Sequence, residues 1–172
     1  LRRAEIDVAL TYDLEVPSDL EFIPLRSLPL YAVVAADHPL ANRISVAVET
    51  LVDYPMVLLD LPMSRTYFMQ AFECAGVTPN IAERTRDMAV MRSLVANGFG
   101  FSVANIRPYS DLSADGRELC FIPLEGTPRP LLLGFVVPEG ARNVLSVDAF
   151  INHASQTISK WDYPGLPLAD CD

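Results

Sequence analysis

Asp60-Leu-Pro-Met-Ser64-Arg65 sets a carboxylate, a hydroxyl and a guanidinium where a buried strand gives way to a helix. The first amides of a helix have no acceptor inside it and its dipole is positive at that end, so an anion is favoured there. Ser64 would add a hydroxyl to such a site and Arg65 a cation. The plainer reading makes Ser64 a helix cap and Arg65 a solvated charge. A second stretch, Arg92-Ser-Leu-Val-Ala-Asn-Gly98-Phe-Gly100-Phe101-Ser102-Val103, ends an amphipathic run in Asn-Gly and then opens a short apolar strand. Gly98 suits the left-handed residue that closes a helix, while Gly100 lacks a Cβ and leaves room for a partner group or ligand beside the strand. This is not a phosphate loop, because it ends a helix instead of opening one and no Lys follows.

Catalytic machinery is not visible. The chain has no Gly-x-Ser-x-Gly, no Cys/His pairing and no His-Glu-x-x-His, so it is not expected to be an enzyme. Asp111-Leu-Ser-Ala-Asp-Gly lacks the length and final Glu of a calcium loop. His38 belongs to the turn Asp37-His-Pro-Leu and reads as structural, and His153 falls on the last helix. Cys74, Cys120 and Cys171 are odd in number and far apart, which argues against a zinc site or a disulfide framework and fits a reducing cytosol. No metal or cofactor is expected.

The elements that must position these groups follow from apolar patterning. Residues 6–11 alternate as a strand, and residues 30–36 and 56–59 are continuous apolar runs, as in strands buried on both faces. Ser64 is the expected cap of a helix with Phe68, Ala71, Phe72 and Ala75 on one face, stopped by Gly76. Residues 81–85 form a short strand. Asp87 caps the next helix, whose apolar face is Val90, Met91, Leu94 and Val95. Strands at 101–104, 119–124 and 131–137 follow, and a last helix from near Asn143 carries Val144, Val147, Ile151, Ala154 and Ile158. Strands alternating with helices imply a mostly parallel α/β sheet.

The 172 residues suit one domain or two small lobes, and a composition 51% hydrophobic and 20% charged is that of a globular chain. A net charge of −9 disfavours a direct grip on nucleic acid, whose affinity comes largely from Lys and Arg neutralising phosphates. No apolar run approaches the roughly 20 residues needed to span a bilayer, so no membrane partner is expected.

In order and spacing, Glu5-Ile-Asp-Val-Ala-Leu, Pro29-Leu-Tyr-Ala-Val-Val, Asp37-His-Pro-Leu-Ala, Leu51-Val-Asp-Tyr-Pro-Met-Val, residues 72–79 and Arg92-Ser-Leu-Val-Ala-Asn-Gly-Phe-Gly-Phe-Ser resemble the effector-binding domain of LysR-type transcriptional regulators. The resemblance runs from Leu1 to the final helix. It implies two Rossmann-like lobes of the type 2 periplasmic-binding-protein-like kind, with a small effector held between them. Residues 1–47 and 119–160 would form the first lobe, residues 48–118 the second, and residues 161–172 an irregular tail. The chain begins at Leu1 without the family's winged helix-turn-helix, its linker helix or the first strand, helix and strand of the domain. The first lobe would therefore keep an unpaired sheet edge. Phe101 and Ser102 would face the cleft, Phe101 packing on an apolar effector and Ser102 hydrogen-bonding it, with Thr11 on the opposite wall. Thr11, Ser64, Arg65, Phe101 and Ser102 are thus the expected ligand-binding residues, at the carboxyl ends of strands where open α/β sheets hold ligands. The implied partners are a small organic effector of the acidic, carboxylate class, a second copy of the chain at least, and DNA only through the missing N-terminal domain, in the cytoplasm. A solute-binding protein of a transport system is the alternative on the same fold, and a small-molecule enzyme a third.

Overall fold

A computed structural model describes residue 1, residues 6–126 and residues 130–160; the expected tail at 161–172 and Cys171 lie outside them. In chain order the elements are β1 (Ala9–Tyr12), β2 (Leu20–Leu28), β3 (Tyr31–Ala35), β4 (Val46–Ala47), α1 (Val48–Leu51), β5 (Pro55–Leu59), α2 (Pro62–Cys74), β6 (Asn80–Thr85), α3 (Met88–Ala96), β7 (Ser102–Ala104), β8 (Leu119–Glu125), β9 (Leu131–Pro138) and α4 (Leu145–Ser159). Contacts divide the chain into a first unit built from both of its ends, up to Leu28 and from Leu131 onward, and a second unit, Pro29–Pro130.

The first unit is a three-stranded antiparallel sheet in the order β1-β9-β2. β9 is central, with Ala9 opposite Val136 on one side and Leu28 opposite Leu131 on the other. The β2 ladder slips between Pro24 and Arg26, where proline has no N–H to donate. Phe135, Val137, Val147 and Ile151 form the core under α4, joined by Ile23, Leu25, Ala154 and Ile158. Val144, expected on this stripe, instead precedes the helix and is 53% exposed. β1 and β2 are the outer strands of this sheet among the described residues.

The second unit holds a four-stranded sheet, β4-β8-β3-β7, and the pair β5-β6. A parallel bridge between Met56 and Phe101 joins them: Phe101 N donates to Pro55 O (2.9 Å) and Val57 N to Phe101 O (2.7 Å). Pairing is mixed, not mostly parallel as expected. β3 runs against both β7 and β8, whereas β4–β8 and β5–β6 are parallel. Among the described residues the run β4-α1-β5-α2-β6-α3-β7 alternates strand with helix. Elsewhere the links carry no crossover helix, and the sequence pattern gave the order of elements without their direction. Because β3, β4 and β8 share a sheet with β7, contacts group residues 31–47 and 119–125 with the middle of the chain, whereas the expected lobe boundaries set them with its ends.

α2 buries Tyr67, Phe68, Ala71 and Phe72, is capped at its carboxyl end by Ala75, and is followed by Gly76 at φ +70°. α3 begins as expected at Asp87, whose Oδ1 accepts from Ala89 N (2.7 Å) and Val90 N (3.1 Å), and closes on Gly98 at φ +82°. Met91 and Val95 are buried, but Val90 is 48% exposed, so the apolar face is narrower than the sequence suggested. His38 is built into its turn: its Nδ1 accepts from Leu40 N (3.2 Å) and its ring lies 4.6 Å from that of Tyr54.

Candidate ligand-binding site

β5 and β6 run parallel, so both carboxyl ends, and the amino ends of the helices that follow them, open on one edge of the second unit. Asp60 N donates to Thr85 O (2.7 Å), extending the ladder by one residue. The chain then turns into α2 with Leu61 as the cap residue and Pro62 in the first turn, where proline's fixed φ and missing N–H cost nothing. Ser64 is therefore not the cap. It lies inside the first turn, half-buried, and the cap position offers no side-chain bond. Arg65 N is satisfied by Leu61 O (2.9 Å), which leaves the amides of Met63 and Ser64 as the first-turn donors without an acceptor in the helix.

Three charged side chains meet at this edge. Arg65 Nη1 lies 3.3 Å from Asp60 Oδ1, and Arg84 Nη1, from the end of β6, lies 3.4 Å from Asp60 Oδ2. The guanidiniums are about half exposed, at 51% and 52%, and the carboxylate is 21% exposed. Asp87 N donates to Thr85 Oγ1 (3.1 Å), and Asp87 in turn caps α3. The trio carries one negative and two positive charges beside an uncapped helix start, an arrangement that favours an anion.

The other expected site residues lie elsewhere. Phe101 bridges Met56 at the amino end of β5, is fully buried, and stacks 6.3 Å from the Phe72 ring, so it packs core and does not face an opening. The close approach at Gly100 is made by protein: a Cβ there would lie 1.9 Å from Pro55 O. Ser102 pairs with Val33 in mid-sheet, has no exposed surface, and its Oγ has no hydrogen-bond partner. Thr11 is the third residue of β1 in the first unit, exposed and opposite Gly134. Of the five, the structure brings Ser64 and Arg65 together at one edge and sets Phe101 and Ser102 in the core. Sequence reasoning passed over Arg84 and Thr85. The carboxyl-end rule, applied to the strand at 81–85 as it was to its neighbour, selects them.

A second feature lies on α3. Arg92 Nη2 donates to Ser110 O and Leu112 O (2.7 Å each), and Ser93 and Asn97 bind the two oxygens of Asp115, pinning the loop after β7. Hydrogen bonds, first from Ser113 and then from Asn97, hold the Asp115 carboxyl well below the usual range. Beside it Ala89, Val90, Leu94 and Phe99 line an open apolar groove of about 310 Å³. Among the described residues no group of three His, Cys, Asp or Glu could hold a metal ion, and no helix is long and apolar enough to cross a membrane. Cys74 and Cys120 are free thiols.

A mixed α/β chain in two units, with helix starts gathered at the carboxyl ends of strands, has the architecture of type 2 periplasmic-binding-protein-like domains. Residues 1–159 match the LysR substrate binding domain, and the chain belongs to that family. CysB of Haemophilus influenzae, an HTH-type transcriptional regulator, is 29% identical over 119 residues, which are 67% of this chain and 36% of CysB. The crystal structure of HinK, a LysR family transcriptional regulator from Pseudomonas aeruginosa, superposes with a TM-score of 0.85 at 30% identity, covering 93% of this chain and 56% of HinK. The effector binding domain of QuiR in complex with shikimate shares the fold, with a TM-score of 0.71 at 20% identity over 91% of this chain and 75% of that one. The chain spans about a third of the length of the curated relatives it matches, 36% in the first two.

Proposed function

We propose that this chain is the effector-sensing part of a transcriptional regulator and that it binds a small organic anion at the β5/β6 edge. The observation that carries the reading is the Arg65–Asp60–Arg84 trio beside the open start of α2, in a chain of the LysR substrate binding domain family. QuiR, of the same fold, holds the carboxylic acid shikimate. Ser64 and Arg65 are the proposed first contacts, with Arg84 and Thr85 added from the geometry. Ser102 and Thr11 remain candidates, Ser102 because its hydroxyl is unsatisfied. The effector would act by its unequal affinity for two arrangements of an oligomer, at least a dimer, and so change how separate DNA-binding domains meet their operator in the cytoplasm. The regulator reading is preferred to a transport protein because the curated relatives are transcriptional regulators. It assigns no catalytic step to the chain.

Thermal unfolding against a panel of aliphatic and aromatic carboxylates tests this. A ligand at about 100 times its Kd adds roughly 2.7 kcal/mol, which at about 2–4 °C per kcal/mol raises Tm by some 5–10 °C. Arg65→Ala should remove about 1.5–3 kcal/mol of binding, the scale of a charged hydrogen bond. A ligand whose shift is the same in that variant does not use this edge.

A further inference from the structure

We infer that Asp60 is the resident counter-anion of this edge, which an effector must displace, so that the site answers to effectors with two anionic groups and not to monocarboxylates; this rests on the binding reading above. Arg65 comes from the first turn of α2 and Arg84 from the end of β6, yet each meets a different oxygen of one carboxylate. Asp60 thus occupies the position in which a bound oxyanion would bridge the two guanidiniums. Both contacts are long, and both arginines are half exposed, which makes the pairs weak and exchangeable.

Exchange with a monocarboxylate conserves what it replaces: one carboxylate leaves two guanidiniums and another arrives. The resident group is tethered to the same edge and holds the advantage of an intramolecular partner. Its freed charge also stays close by and repels the newcomer. A dicarboxylate changes the balance, because one carboxylate bridges the arginines while the second can accept from the first-turn amides of Met63 and Ser64. Asp60 therefore sets the threshold for entry, and its backbone role, the bond from its N–H to Thr85 O, does not depend on its charge.

The experiment titrates acetate and succinate into the chain and into Asp60→Asn at low ionic strength, following the amide resonances of Met63, Ser64 and Thr85. Asparagine keeps the shape and removes the charge, and matching thermal unfolding of the two proteins checks the fold. In the unsubstituted chain succinate should move these resonances and acetate should not. In Asp60→Asn acetate should bind, and succinate should bind at least tenfold more tightly. An Asp60→Asn protein that binds succinate no more tightly than the parent overturns the inference. If an Arg65→Ala/Arg84→Ala protein still loses succinate binding, the edge stands as a site and only the role of Asp60 falls. If neither anion moves the three amides even in Asp60→Asn, the binding reading fails together with the inference.

Discussion

Replacing Gly100 with alanine while making the same change at Gly98 separates backbone strain from steric exclusion two residues apart. Both glycines have positive φ, +82° at Gly98 and +127° at Gly100. A Cβ on Gly98 meets nothing within 4 Å, so its cost is conformational, about 1–2 kcal/mol for an L-residue in that region. A Cβ on Gly100 would sit 1.9 Å from Pro55 O and 2.7 Å from Pro55 C, both backbone atoms at the fixed start of β5. Relief requires the chain before β7 to move off β5, which breaks the bonds from Phe101 N to Pro55 O and from Val57 N to Phe101 O. Those two bonds contribute about 0.5–1.5 kcal/mol each, and strain of about 1–3 kcal/mol adds to them. Gly100→Ala should therefore cost about 2–6 kcal/mol. Thermal unfolding by circular dichroism reads the pair: at about 2–4 °C per kcal/mol, the central values of about 4 and about 1.5 kcal/mol put the melting of Gly100→Ala about 5–10 °C below that of Gly98→Ala. Equal losses would refute the reasoning, because they would show that the missing Cβ at Gly100 does not hold β5 against β7.

Two further outcomes follow from buried polar groups. Ser102→Ala removes a hydroxyl that is buried without a partner, a burden of about 1–3 kcal/mol, so the variant should be more stable and melt a few degrees higher; a lower Tm would show that the hydroxyl is bonded. His38 is held below its usual pKa, chiefly by burial and against the opposing pull of Asp37, so the unfolded chain binds a proton there more readily than the folded one. Stability should be full above about pH 6.5 and fall as pH drops toward the folded value. The decline in Tm from pH 7.5 to 5.5 should be shallower in His38→Asn, and an unchanged slope would remove His38 as its source.

Much of the frame was legible because its signals are local. Asp87 as a cap, Gly76 and Gly98 as stops, and the buried runs at β3 and β5 each follow from a few neighbouring residues. The family itself was legible from motif order. Strand direction was not, because an apolar run reads the same whether its neighbour runs with it or against it, as at β3 between β7 and β8. Phe101 and Ser102 are expected to face a cleft because the family resemblance implies one there, and Gly100 leaves room beside their strand. That space is filled by Pro55, a residue 45 positions earlier (100 − 55) that sequence proximity does not bring near. The Arg84–Asp60 contact was hidden for the same reason, since only the parallel pairing of β5 and β6 lays the two residues side by side.

The central place of β9 governs the order in which the molecule assembles during synthesis. Every strand of the second unit lies between Pro29 and Pro130, so that unit has all its pairing partners as one continuous piece of nascent chain. The first unit does not. Among the described residues β1 and β2 pair with β9 alone, and β9 starts at Leu131, about 100 residues after the end of β2 at Leu28. At roughly 5–20 residues per second, β1 and β2 leave the ribosome about 5–20 s before the strand that joins them. For that interval both present unpaired backbone edges. The lag leaves β1 and β2, more than any strand of the second unit, open to chaperones and to misassociation during translation.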